Sequence, residues 1–230
     1  MSNFVTWTLK YFKIKKNFAT ILFITALISF VTWCKDKAKE AKTKAAEEVG
    51  EIVNSDVYAV NKDGSTIEWK GFKPTGSHNG TISIERGVLD LADGKIVGGS
   101  FLIDMTSIAV TDIPADDEDN AKLTGHLTSA DFFDVEKYAS ASLTVTGLED
   151  VDGKMTLSGN LSLKEVKNNI TFTVTVSNEN DVITLSSEAF TIDRTKWNVQ
   201  YGSKSIFDNL GDKFINDDIE LKIMVKAAKS

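Results

Sequence analysis

The chain reads as an all-β protein: a single extended antiparallel barrel of about eight strands, interrupted by one short helical insertion. Three observations predict this. Beyond about Asp56, isolated apolar residues alternate with Thr, Ser, Glu and Lys, the period-two pattern of half-buried strands. Turn chemistry separates these runs at short intervals. Only two prolines occur in the whole chain, so few ladder donors are missing. Strands that each carry one apolar face close naturally into a barrel with an apolar interior, and closure removes exposed edges.

The strands follow in order. Thr81-Ile82-Ser83-Ile84 alternates, as do Phe101, Ile103 and Met105 against Leu102, Asp104 and Thr106. Leu143 and Val145 repeat the scheme, followed by Met155 to Ser158 and Leu161 to Leu163. Residues Ile170 to Val176 form the cleanest run, and Ile219 to Ile223 closes the series. Asp63-Gly64, Asp93-Gly94 and Asp152-Gly153 are expected hairpin tips, where glycine accepts positive φ, and Asn178 to Asp181 does the same. Residues 111–140 break the rhythm. An acidic loop leads into a short helix near 119–127, then a helical turn from Ser129 or Asp131 capped by its own side chain. This insertion sits where a barrel needs a lid or plug. A second irregular stretch, Asn198 to Lys213, closes part of a barrel mouth.

Three segments are expected: 1–33 as a signal peptide or membrane-anchor helix, 34–55 as a charged tether, and 56–230 as the barrel domain. Lys10, Lys13, Lys15 and Lys16 precede an apolar run from Phe18 to Val31, and Cys34, the only cysteine, follows it. A positive flank and a short apolar stretch make a secretory signal. A cysteine just beyond it resembles a bacterial lipoprotein signal, which implies lipid attachment at Cys34. The alternative is an uncleaved anchor, although the run is short against the roughly 20 residues that span a bilayer. Either reading places the domain in the cell envelope, outside the cytoplasm, with the membrane as a partner through the N-terminus. Residues 35–51 are rich in Ala, Lys and Glu without an apolar stripe, which reads as a solvated, partly helical tether.

Charge narrows the partners further. Residues 1–33 hold four lysines and no acid, so the formal charge of −7 becomes −11 from Cys34 onward. Nucleic acid needs clustered Lys and Arg and is not an expected partner. Two histidines exclude a histidine-rich metal centre, and the acidic run Asp112 to Asp119 lacks the glycine and distal glutamate of an EF-hand loop. No metal or other cofactor is expected. The sequence leaves a homodimer open.

Gly125-His126-Leu127-Thr128-Ser129-Ala130-Asp131-Phe132-Phe133-Asp134-Val135-Glu136-Lys137-Tyr138 resembles the HL-x-S-x-D-F-F-D-x-x-x-Y signature of the YceI-like, lipocalin-like lipid-binding family. Residues 99–108, 159–164 and 190–197 resemble further family elements in the expected order. The chain departs from that pattern at Ala139, at Thr124-Gly125 and at Glu165. The resemblance spans roughly Val57 to Lys226 and implies a lipocalin-like barrel holding an isoprenoid, prenyl-quinone or similar amphiphile, with no catalytic set.

Alternate strand residues are the candidate liners of such a lumen: Ile84, Phe101, Ile103, Leu143, Val145 and Leu161, with Phe172, Val174, Phe190 and Ile192. Phe132 and Phe133 either line the entrance or anchor the lid. His126 and Arg194 are candidate headgroup contacts, each with a structural alternative: a hydrogen-bonding histidine, and an ion pair or turn bond at Asp193-Arg194. Trp69 and Trp197 read as barrel-end caps whose indole N–H groups need partners. An apolar lumen binds by partition. At about 0.8 kcal/mol per buried CH₂, one isoprene unit is worth on the order of 3–4 kcal/mol gross. Two other readings stay open: a filled barrel acting through its outer face as an envelope interaction or stress protein, and a hydrolase of a bound amphiphile. The second finds no G-x-S-x-G elbow and no H-E-x-x-H in the chain.

Overall fold

The computed structural model describes residues 38–230, so the proposed signal or anchor segment and Cys34 lie outside the described residues. Twelve strand segments form one sheet. They are β1 (Lys39–Glu40), β2 (Lys42–Ala45), β3 (Asp56–Val60), β4 (Thr66–Lys73), β5 (Gly76–Ala92) and β6 (Lys95–Val110). After the helix α1 (Glu118–Thr128) come β7 (Ser140–Val151), β8 (Lys154–Leu163), β9 (Val166–Glu179), β10 (Val182–Ser187), β11 (Phe190–Asp193) and β12 (Asp218–Lys229).

Eight staves make the barrel. β3 and β4 act as one stave interrupted by the 3₁₀ turn Lys62–Gly64, since both pair with β5 and with β12. β10 and β11 are likewise one stave broken at residues 188–189, and both pair with β12. Antiparallel neighbours run β5 to β10 in chain order, and β12 closes the ring onto β4. Register shifts along β5–β6 and at Val145/Gly147 of β7–β8 bend the long strands into the curve that closure requires.

The hairpin tips follow the expected chemistry, with one exception. Asp93-Gly94, Asp152-Gly153 and Asn180-Asp181 hold positive φ at both tip residues, the geometry that matches strand twist. Lys164-Glu165 adopts the same conformation without glycine. Asp63-Gly64 is no hairpin tip. Asn61 caps a 3₁₀ turn there, its side chain accepting from the Asp63 and Gly64 N–H groups at 3.1 Å, and the chain continues along the same stave.

The largest departure from the sequence reading lies in the charged tether. Residues 38–45 are not helical: they form two short strands that keep Lys39, Glu40, Lys42 and Lys44 exposed and bury Ala41. β9 and β10 pair only between residues 174–179 and 182–187, which leaves a seam between the start of β9 and β11. β1 enters that seam parallel to β11, and β2 pairs antiparallel with residues 168–171 of β9. Ala41 is 3% exposed at the crossing, and its N–H donates to the Thr191 carbonyl at 2.8 Å. Asn160 then clasps the backbone of Glu47, accepting from its N–H at 3.0 Å and donating to its carbonyl at 2.7 Å. Asn169, fully buried, donates to the Asn160 Oδ1 at 3.1 Å and braces the clasp. Two open ladder edges offer backbone partners that outweigh the weak helix preference of Lys, Ala and Glu in isolation. Beyond Glu47 the segment stays on the outer wall: Gly98 has no side chain where Ile52 lies, and Ser55 bonds Asp90.

α1 starts where expected. Asp117 caps it by accepting from the Asp119 N–H at 2.9 Å, and the Asn120 amide fastens it to the Val110 and Ile113 carbonyls. The turn that follows is not capped by Ser129 or Asp131 side chains. The Ser129 hydroxyl instead donates back to the His126 carbonyl at 2.8 Å, and the Ser129 carbonyl receives the Phe132 and Asp134 N–H groups. This brings Phe132 and Phe133 inward, buried edge-to-face with centroids 4.9 Å apart.

Candidate functional site

The barrel is hollow at the end covered by α1. A cavity of about 410 Å³ opens there, within the size range of ligand pockets. Ile103, Leu143 and Leu161 line it from the β6–β8 wall, Phe190 and Ile192 from β11, and Phe132 and Phe133 from the lid turn. Ile84, Phe101, Val145, Phe172 and Val174 do not reach it: they are buried between 2% and 7% exposed and fill the rest of the core. The reason is geometric. All five are buried within the hydrophobic core and keep the parity of the liners, but they stand on the filled side of the barrel, away from the cavity. Phe172 marks the boundary, stacked on Phe190 at 4.2 Å and 10°.

Further liners share the same alternation. Met105 stands two residues beyond Ile103, and Ile219, Leu221 and Ile223 alternate along β12. Ile67, Trp69 and Gly71 form the β4 wall. Most of the other liners on strands were readable by extending parity; Ile108 lies in β6 past the register shift at Thr81/Ser83, Leu123 and Leu127 stand on α1, and Ile215 lies in the irregular stretch before β12. Trp69 is a wall residue rather than an end cap, and its Nε1 is buried without a protein partner. Trp197 is fully buried with its indole N–H donating to the Leu161 carbonyl at 3.0 Å.

The polar groups gather at the mouth. Lys73 and His78 come from β4 and β5, His126 from α1, and Tyr201, Lys213 and Asn216 from the irregular stretch before β12. His126 stands between Phe132 at 5.7 Å and Tyr201 at 4.7 Å, joining the lid to that stretch through ring contacts. The Asp112 carboxylate holds His78 through its Nδ1 at 2.9 Å and also accepts the Asn79 N–H. Burial alone pushes the Asp112 carboxyl up, but the Asn79 N–H and the His78 ring outweigh it and hold the group below its ordinary value.

Arg194 borders the cavity, yet its guanidinium is committed elsewhere. It is fully buried and donates from Nε to the Asn216 carbonyl at 3.1 Å, from Nη1 to Val199 at 2.5 Å and from Nη2 to Ile215 at 3.1 Å. Burial pushes its pKa down, opposed by Asp217 and Asp193. Asp217 lies 3.7 Å away, too far for a hydrogen bond, and the Phe132 ring lies over the guanidinium at 5.3 Å. Asp193 does not pair with it; its carboxylate accepts from the Thr195 N–H and hydroxyl instead. Arg194 is therefore the post that holds residues 199–216 against the lid.

No Ser, Thr, Asp or Glu among the described residues lines the cavity. Among the described residues, no three His, Cys, Asp or Glu side chains converge as metal ligands. The interior thus offers hydrocarbon surface and the rim offers polar contacts, an arrangement suited to a hydrophobic ligand.

The YceI-like domain family matches residues 58–227, and the chain belongs to that family. No curated protein matches it. Two solved structures share the fold. BcnA of Burkholderia cenocepacia is 19% identical, with 74% of this chain and 99% of that one covered at a TM-score of 0.57. A polyisoprenoid binding domain from Saccharophagus degradans is 16% identical, with 75% and 98% covered at 0.54.

Proposed function

We propose that this protein binds and sequesters or carries a long hydrophobic chain, isoprenoid or prenyl-quinone in type, by partition into the barrel and without catalysis. The single observation that carries this reading is the 410 Å³ cavity lined almost wholly by hydrocarbon and roofed by the lid turn. Such an apolar lining gains from an apolar guest that displaces water from it. The YceI-like membership and the neighbour described as a polyisoprenoid binding domain support it.

The volume sets a length. A dry 150 Å³ cavity accepts one benzene, so 410 Å³ accommodates roughly sixteen carbons, about three isoprene units. Three units carry on the order of 10 kcal/mol gross, enough for micromolar affinity after ordering costs. Native mass spectrometry of the delipidated domain against prenols of increasing length is the test. Adducts should strengthen up to about three isoprene units and then level off; no adduct at any length overturns the reading.

The basic and apolar N-terminus with Cys34 supports an extracytoplasmic, lipid-anchored location. Metabolic labelling with a palmitate analogue tests it: label lost in Cys34→Ser supports the anchor, and label absent from the intact chain contradicts it.

A further inference from the structure

The charges at the cavity are all of one sign. The chain has 33 acids against 26 lysines and arginines, yet the charged residues lining the cavity are Lys73, Arg194 and Lys213, with the two histidines and no carboxylate. Two of these cations stand apart from internal bonding. Arg194 is committed to backbone carbonyls, and His78 is held by Asp112. Lys73 ends β4, Lys213 ends the 3₁₀ turn Gly211–Lys213, and among the described residues neither forms a salt bridge. Both are exposed at the rim where the lumen meets water. They come from segments far apart in sequence, and the fold brings them to the same opening. Lysine is a mobile point charge with three donors, suited to an anionic group whose oxygens project from a cavity.

Building on the proposed partition of a chain into the barrel, we infer that the guest is an anionic amphiphile, whose phosphate or carboxylate is held at the mouth by Lys73 and Lys213. Its tail lies along Ile103, Leu143 and Leu161. A neutral prenol fills the same lumen but leaves the rim charges without a partner.

Matched pairs separate head from tail: farnesyl monophosphate against farnesol, and hexadecanoate against hexadecanol, titrated at low ionic strength into the intact domain. Each lysine at an exposed site contributes modestly, so the anion of each pair should bind about five- to tenfold more tightly than its alcohol. The advantage should shrink with added salt. In Lys73→Gln/Lys213→Gln the anion-to-alcohol ratio should fall to about one, whereas Lys95→Gln, at the start of β6 opposite the far end of β5, should keep the wild-type ratio. An advantage in only one pair assigns the head as phosphate or as carboxylate. Equal affinity within both pairs overturns the inference while leaving chain binding intact. Failure of all four to bind overturns chain binding itself, and the inference with it.

Discussion

Arg194 and Asp112 show how single side chains set the mouth. The guanidinium satisfies three carbonyls of the 199–216 stretch that has no ladder of its own. Arg194→Met should cost about 3–5 kcal/mol by denaturant unfolding, because those carbonyls and Asp217 lose their buried cation. Wild-type stability retained in that variant would remove the post from the account. Asp112 gives a pH signature. Its folded pKa lies below the ordinary value of 3.8, so its contribution is complete above that value and is lost as pH falls through the lower folded pKa. Thermal melts of Asp112→Asn and wild type should differ near neutrality and converge in strong acid; a gap that widens on acidification contradicts the assignment. Neither role was legible beforehand. Asp193-Arg194 stand side by side in sequence, but the partners that decide their roles are Asn216, Val199 and Thr195, reached only through the fold.

At the scale of elements, period two located nearly every stave, because an amphipathic strand records its own burial in its alternation. The segment 38–45 escaped because it borrows its structure. Lys-Glu-Ala-Lys-Thr-Lys has no apolar rhythm, and its register comes from β9 and β11, with the Glu47–Asn160 clasp joining residues 113 apart. The seam it fills exists only after β9 and β10 have paired. Asn160→Ala should release this strip while sparing the barrel. Amide exchange of residues 42–47 should quicken markedly, with that of β5 and β6 unchanged, for a loss of about 1–3 kcal/mol from the orphaned Asn169 and Glu47 groups. Uniform exchange across all strands would show instead that the strip is integral to the closed ring.

For the whole molecule, closure was predictable and hollowness was not. Ile84 and Ile103 carry the same pattern in sequence, yet one fills the core and the other faces a void. The difference depends on what stands opposite across the barrel, and that depends on bulges such as those between Thr81/Ser83 and Ile84/Arg86. Hydrophobic patterning specifies a face and not the distance to the next one. The lid motif was legible as a signature, and the structure gives its physical content: Phe132 and Phe133 roof the lumen, with the Lys164 ammonium donating to the Phe132 carbonyl at 2.8 Å. Occupancy of the lumen by a guest chain is the central claim, and filling it from within is the most direct test. Leu143→Trp, with Leu161→Trp as a second variant, should fold with a melting temperature at or above wild type and lose displacement of a fluorescent polyene fatty acid by farnesol. A folded tryptophan variant that keeps wild-type affinity would place the chain somewhere other than the barrel interior.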